Sequence, residues 1–397
     1  MSRQTIVACA LARSADVAAE REGVRAVEGR RAATSVVLPS NPYLSLNGGR
    51  ATDFSLQGPT AVWGVNLSQE LEIAGQRGRR LDVASAERSA QERRLEAKAR
   101  TVAADALLAY FDALSAVEEK RLADRLAALA EALQTLAQAR VETGVGAPVE
   151  ATVGRAQALR LLQARLTAER RVATSTATLA TLLGHDPSRG GVSVDGPLEP
   201  LSGLDGPVAQ LADAALGRRA DLRVAEAERA AQAKRADVLR ATRVPNPTLS
   251  LFLRNDWIGE RTFGVGLGFP IPLPAPVGRT NAGEIAEASA LGRRAGVEVE
   301  RLRREVRLDV VKAAETFASW QRALGLFGPD DVRQAEESLA AVADELRARR
   351  LAARDALLLQ QPLVELLLTH LETRRQLCFA SVELARAAGL PLERGAP

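Results

Sequence analysis

The sequence predicts a mainly helical chain, built twice over, with two β-hairpins set among long helices. Three observations predict it. First, a repeat runs through the chain: Ala10, Leu11, Arg13 and Asp16 match Ala215, Leu216, Arg218 and Asp221, all 205 residues on. Second, two short stretches alternate between apolar and small or polar side chains, the period of a strand. Third, Ala, Leu, Arg and Glu dominate and only 3% of residues are aromatic, the composition of long or coiled helices.

The first repeat, 1–183, opens with a helix expected over about 5–36. Pro39 and Pro42 end it and start a strand at Tyr43–Asn47, the first arm of a hairpin over 43–71. In the second arm Trp63, Val65 and Leu67 point one way, and Gly64, Asn66 and Ser68 the other. A very long helix follows over about 78–141, roughly 95 Å at 1.5 Å per residue. Leu122, Leu126, Leu129, Leu133 and Leu136 are spaced alternately four and three apart, a coiled-coil seam. The turn Thr143–Pro148 ends this helix, and a return helix runs to Leu183.

Residues 184–206 form the only sizeable Gly/Pro-rich stretch between the halves and read as a linker or equatorial segment. The second repeat, 207–389, restates the first, and 390–397 is a tail. Asn41, Pro42, Leu44 and Leu46 return as Asn246, Pro247, Leu249 and Leu251 at the 205 offset. The hairpin, 248–272, has a loop five residues shorter, so Gly64, Val65 and Leu67 return as Gly264, Val265 and Leu267 at an offset of 200. Phe263, Val265, Leu267 and Phe269 alternate there with Gly264, Gly266 and Gly268. The second long helix begins near Asn281 and is expected to break at Gly325–Pro329, where proline removes a donor and its ring clashes. It then turns near Arg349–Arg354 and returns to Ala388.

The 53 basic side chains leave a net charge of only +4, because acids interleave with them along helix faces. No basic stripe with interleaved aromatics appears, so no nucleic-acid partner is expected. Cys9 and Cys378 make no disulfide framework, and His185 and His370 cannot build a His-rich metal site. No metal, cofactor-binding or catalytic residues are assigned. Gly264–Gly268 has glycines for a phosphate loop, but it lies inside an alternating strand with no Lys-Ser/Thr after it. No run of 18 apolar residues exists, so no transmembrane helix is expected. Ile6–Ala12 is too short for a secretory core, and Ile6–Cys9 only loosely matches a lipoprotein cleavage box.

The strands are about 9–10 residues where best defined, which fits a tilted strand crossing a bilayer, for which about 9–11 are needed. Seven of the thirteen aromatics, Tyr43, Phe54, Trp63, Phe252, Trp257, Phe263 and Phe269, lie in the hairpins, as an aromatic girdle requires. A soluble sheet packed on helices is the competing reading. Glycines on the second face leave such a core nothing to pack but suit a water-filled lumen. The membrane reading therefore sends Trp63, Val65, Leu67, Phe263, Val265 and Leu267 to lipid. It sends Gly64, Asn66, Ser68, Gly264, Gly266 and Gly268 to the lumen. Four strands cannot close a barrel, and open edges are not tolerated in lipid, so several chains must share one. Long helices with apolar seams also need partners to bury them.

The twin NPxLSL segments, the passage Gln69–Arg77, the close Leu179–Gly184 and the duplicated order of elements resemble the TolC-like outer-membrane efflux proteins. The passage Gln69–Arg77 is most similar to their heavy-metal (CzcC-like) branch. The resemblance covers nearly the whole chain. It implies a homotrimer with a 12-stranded outer-membrane β-barrel continued by a periplasmic coiled-coil tunnel. It also implies docking onto a periplasmic adaptor (membrane fusion) protein and an inner-membrane pump of the resistance-nodulation-division type. Conduction would be passive, and the cargo heavy-metal cations, or drugs. Against that pattern the signal peptide and N-terminal arm are missing, which points to a mis-assigned start or a fragment. The rival is a cytosolic coiled-coil scaffold, which explains the helices but not the hairpins. The turns with Gly144, Val145 and Gly146 and with Arg349 and Arg350 are the adaptor-contact candidates. Glu150 and Asp355, matched at 205, are the aperture candidates. In the resembling family an Asp matching Asp355 lines the tunnel entrance, while a second acid one turn on is here Leu358. The competing role for both acids is to favour the positive N-termini of the return helices.

Overall fold

A computed structural model describes residues 1–51, 60–144, 148–256, 258, 260–273, 277, 280–348, 350 and 353–392. In chain order the elements are α1 (Arg3–Arg13), α2 (Ala15–Thr34), β1 (Tyr43–Ala51), β2 (Thr60–Glu70), α3 (Gln76–Glu142) and α4 (Pro148–Leu182). A 3-10 turn at Pro187–Arg189 separates these from α5 (Val208–Arg218), α6 (Ala220–Ala241), β3 (Thr248–Asn255) and β4 (Arg261–Gly268). Then come α7 (Ala282–Leu324), α8 (Pro329–Arg347) and α9 (Ala353–Ala387). The residues divide into two compact units. One comprises Met1–Ala19, Glu96–Ala220 and Arg303–Pro397; the other comprises Glu20–Leu95 and Asp221–Leu302.

In the first unit the opening helix differs from expectation: it is two helices, broken at Ser14. Ser14 adopts φ −60° and ψ 124°, which is extended, while its N–H still bonds Ala10 O. Its hydroxyl then accepts from Val17 N at 3.4 Å, so Ser14 closes α1 and caps α2. The second repeat breaks at the matching residue, Arg219, with φ −63°, ψ 122° and its N–H on Ala215 O. Neither break contains the proline or glycine that normally marks one.

The matching glycines Gly184 and Gly389 end α4 and α9 with φ of +69° and +65°. The amides one residue on, His185 and Leu390, return to Ala180 O and Ala385 O at 2.9 and 2.8 Å, closing each helix C-terminus. Each glycine also sits on one of the breaks. A Cβ on Gly184 would lie 3.1 Å from Arg13 Cβ, and one on Gly389 2.8 Å from Arg218 Cβ.

The leucine seam of α3 is partly satisfied within the chain. Leu122, Leu126 and Ala130 are buried against Ala158 and Leu161 of α4, Leu339 and Val342 of α8, and Ala356 and Leu367 of α9. The expectation that the whole stripe waits for other chains is therefore corrected for these residues. Leu129, Leu133 and Leu136 have side chains outside the described set.

The segment 184–206 is also more than a linker. Leu198, Leu201 and Leu204 are buried. Their backbone is held by side chains: Tyr110 Oη donates to Asp195 O at 2.9 Å, and Arg374 to Leu198 O at 3.0 Å. Leu201 N donates to buried Ser381 Oγ at 3.0 Å. The expected break in the second long helix is present, with Gly325–Gly328 separating α7 from α8.

The second unit contains the strands. They form one antiparallel sheet in the order β1-β2-β3-β4, so β1 and β4 are its edges. Facing helical segments are laced by ion pairs: Glu87 of α3 takes both Arg30 of α2 at 3.2 Å and Arg235 of α6 at 2.5 Å. Burial alone would raise the Glu87 carboxyl, but the two arginines outweigh it and hold it below the usual range.

Candidate functional site

The register of the sheet sorts its residues into two faces. Leu46 pairs with Val65, Leu44 with Leu67, Leu251 with both Leu67 and Val265, and Leu253 with Val65 and Phe263. Trp63 opposes Gly48 and Asn255 on the same face. This apolar face is the uncovered one: Leu46, Phe263, Val265 and Leu267 are 72%, 71%, 63% and 61% exposed. An alternating strand that buries its polar face more than its leucines is the reverse of a soluble sheet.

The other face carries Asn47, Gly64, Asn66, Ser68, Ser250, Gly264, Gly266 and Gly268. Two expectations are corrected here. The face is not uniformly small, because Phe252 lies on it opposite Gly264, with the Arg254 guanidinium 5.2 Å from the ring centroid. A Cβ at Gly264 would meet that ring at 2.3 Å, so this glycine makes room for Phe252. The aromatics also do not form a single girdle. Trp63 and Phe263 share the apolar face, whereas Tyr43 and Phe252 sit on the other. Phe54 and Trp257 lie outside the described residues. Gly264–Gly268 is strand, which removes the phosphate-loop reading.

Below the strands, the Gln69–Arg77 passage builds a polar joint. Leu71 N donates to Pro247 O at 2.9 Å, extending the β2–β3 ladder by one bond. Gln76 Nε2 donates to Asn246 Oδ1 at 2.8 Å, and Asn246 Nδ2 donates to Glu70 Oε1 at 2.8 Å. Gln76 Oε1 in turn accepts from Ala74 N at 2.8 Å. The nearby Glu72 pairs with Arg80. This chain of bonds fixes the end of β2, the start of β3 and the first turn of α3. The residues stood out in the sequence, but their mutual bonding did not. The signal available was the Asn-Pro pair that precedes each first strand.

The two turns belong to the first unit. Gly144 follows α3, with its N–H on Val141 O at 3.0 Å; Val145 and Gly146 lie outside the described residues. Arg350 follows α8, with its N–H on the backbone carbonyl of Glu345 at 2.9 Å and its guanidinium 3.7 Å from the Glu345 carboxylate; Arg349 lies outside. Asp355 sits exposed in the first turn of α9. Glu150 is the third residue of α4, with its side chain outside the described set. Leu358, one turn on from Asp355, is 64% exposed.

Farther along α9, His370 packs edge-on to Phe327 of the α7–α8 break, with ring centroids 5.3 Å apart. Burial lowers its pKa, Arg374 lowers it further, and Glu336 opposes them. Burial pushes the Cys378 thiol up to about 12, so it is inert at neutral pH, and neither cysteine is in a disulfide. Among the described residues no group of acids, histidines and cysteines could hold a metal, and no helix is long and apolar enough to cross a membrane.

Residues 7–185 match the family model described as outer membrane efflux protein. No curated protein matches the sequence. Solved structures do match, over 98% of this chain. The outer-membrane channel OprN has a TM-score of 0.78 at 18% identity, over 90% of its own chain. The outer membrane protein VceC from Vibrio cholerae has 0.77 at 17% identity, over 97% of its chain. The Campylobacter jejuni CmeC outer membrane channel has 0.80 at 15% identity, over 85% of its chain. The first repeat thus matches the outer membrane efflux protein family, and the whole chain has the fold of these outer-membrane channels.

Proposed function

We propose that the chain is the outer-membrane channel of a tripartite efflux system, in the TolC-like family. Three copies share a 12-stranded barrel in outer-membrane lipid, and their helices form a tunnel in the periplasm. The observation that carries this reading is the uncovered apolar face of a sheet with two unpaired edges. Such a face fits lipid, and such edges fit only a barrel closed by further copies. Trp63, Val65, Leu67, Phe263, Val265 and Leu267 then meet lipid. Gly64, Asn66, Ser68, Gly264, Gly266 and Gly268 line the lumen, with Phe252 and Arg254 among them. A cytosolic scaffold gives these strands no role.

The turns around Gly144 and Arg350 dock a periplasmic adaptor, which links the channel to an inner-membrane pump of the resistance-nodulation-division type. Glu150 and Asp355 form a ring of acids at the narrow end that attracts cations. The cargo is heavy-metal cations, supported by the branch resemblance of Gln69–Arg77. The channel conducts passively, and the pump supplies the energy.

The test joins mass measurement in mild detergent, planar-bilayer recording and efflux. A trimer that conducts is expected. In cells supplied with its cognate pump and adaptor, the channel should restore growth in heavy-metal salts more than in drugs. A stable, non-conducting monomer overturns the barrel, and rescue limited to drugs overturns the cargo.

A further inference from the structure

Between α2, α3 and α6, at their ends nearest the strands, the second unit holds a cleft of ≈ 400 Å³. That is within the range of small-ligand sites. Its floor is Val83 and Ala84 of α3 with Val238 and Leu239 of α6. Ala84 is buried and the other three are half-buried. The backbone of these turns bonds within the helices, so the floor offers a ligand apolar contact and no hydrogen bond.

The rim is guanidinium. Arg30 of α2 and Arg235 of α6 converge on the Glu87 carboxylate at 3.2 and 2.5 Å. Arg80, which pairs with Glu72, stands toward the strands. One carboxylate between two guanidinia leaves a positive surplus, and the lowered Glu87 pKa records the same field. Each guanidinium has five N–H donors. The bonds to Glu87 use one from Arg30 and two from Arg235, and both side chains are exposed.

The two sides of the α3–α6 pair differ. Arg79, Asp82, Lys234, Asp237 and Arg240 line the opposite side, with bases and acids mixed. The cleft side continues past Arg80 and Val238 into the polar joint of Glu70, Gln76 and Asn246. Glu70 pairs with Thr248, and Thr248 with Gly268, so Glu70 shares the sheet face of Gly64, Gly266 and Gly268. The cleft thus opens on the lumen side, a placement that rests on the shared-barrel reading.

We infer that this cleft is a binding site in the tunnel wall for a water-borne, single-chain amphiphilic anion, such as a medium-chain carboxylate. The head bridges Arg30 and Arg235 beside Glu87, where planar guanidinia match a carboxylate. The chain lies along Val83, Val238 and Leu239 toward Arg80. From Glu87 to Arg80 is seven residues of α3, about 10 Å. The stems of the arginines extend the apolar walls. An amphiphilic cation finds the Glu87 carboxylate already shared by two guanidinia. A small inorganic anion leaves the floor uncovered.

The experiment uses the full chain in phosphatidylcholine nanodiscs and a decanoate bearing a terminal diazirine. After irradiation, peptide mass spectrometry locates the label. Label is expected on Val83, Val238 or Leu239, displaced by excess decanoate but not by acetate or decyltrimethylammonium. Arg30→Gln leaves Arg235 on Glu87 and should weaken binding about tenfold, the worth of one charge-assisted hydrogen bond. Val83→Phe fills the floor and should abolish labelling; Leu239→Phe gives a second reading if Val83→Phe folds poorly. Label confined to the apolar strand face, or displaced equally by decyltrimethylammonium, overturns the site. Loss of label in nanodiscs of equal parts phosphatidylcholine and phosphatidylglycerol assigns the cleft to bilayer phospholipid and overturns a water-borne ligand. The cleft forms within one chain, so the two readings fail separately. A monomer that still labels there overturns the barrel and keeps the cleft, whereas a conducting trimer without that label overturns the cleft alone.

Discussion

Gly184 and Gly389 are the points where the two repeats can be compared most directly by mutation. Each combines two constraints that one added methyl would violate. The positive φ of 69° and 65° makes any L side chain strained, by about 1–2 kcal/mol. The second constraint differs between them. At Gly184 a Cβ would lie 3.1 Å from Arg13 Cβ and 3.3 Å from Arg13 O, contacts that a shift of a few tenths of an ångström relieves. At Gly389 it would lie 2.8 Å from Arg218 Cβ, 3.0 Å from Arg218 C and 3.1 Å from Arg219 N, most of it backbone. Overpacking of that kind adds about 1–3 kcal/mol. Gly389→Ala should therefore cost roughly 2–5 kcal/mol and Gly184→Ala about 1–3 kcal/mol.

Two controls divide the terms. Gly203 has φ of +80° with nothing near its Cβ position, so Gly203→Ala isolates the backbone term, about 1–2 kcal/mol. Gly217 lies inside α5 with open space around it, so Gly217→Ala should stabilise by about 0.5–1 kcal/mol. The assay is thermal unfolding in one detergent, with about 2–4 °C expected per kcal/mol for a unit of roughly 150–250 residues. The expected order of midpoints is Gly217→Ala above the parent, then Gly203→Ala, Gly184→Ala and Gly389→Ala. Gly389→Ala melting with Gly203→Ala would refute the packing argument. Gly203→Ala melting with the parent would refute the backbone argument.

Asn246→Leu removes both side-chain bonds that Asn246 makes in the polar joint and strands Glu70; a loss of about 2–4 kcal/mol is expected in the same unfolding assay, and a neutral result would make the joint decorative. Val265→Arg should cost about 2–4 kcal/mol in bilayers if the residue faces the hydrocarbon midplane. Gly268→Arg, where a Cβ would meet only Thr248 O at an ordinary 3.9 Å, should alter conductance instead of stability; equal mild effects at both sites would argue for a soluble hairpin. Asp355→Ala with Glu150→Ala should lower cation selectivity in planar bilayers without dissociating the trimer. Unchanged selectivity with a loss of only about 0.3–1 kcal/mol per acid would leave helix-end stabilisation as their whole role. Because the folded state lowers the His370 pKa, its stabilising contribution is full above the ordinary value of 6.5 and is lost as pH falls below it. His370→Leu should flatten the stability–pH curve on that acid side, and an unchanged slope would assign the acid loss to other groups.

The strands, long helices and duplication were legible because each rests on a period that survives in one dimension. The break at Ser14 was not, because its cause is tertiary. Arg219 has no capping side chain, yet it breaks the helix at the matching place, where Gly389 closes against it. The segment 184–206 read as a linker because glycine and proline outweighed three leucines at 198, 201 and 204. Those leucines are buried only because Arg374, Ser381 and Tyr110, far away in sequence, satisfy the backbone between them. The two faces of the sheet were legible from alternation, but not the face taken by Phe252. It occupies a glycine-lined position that only the cross-strand register reveals.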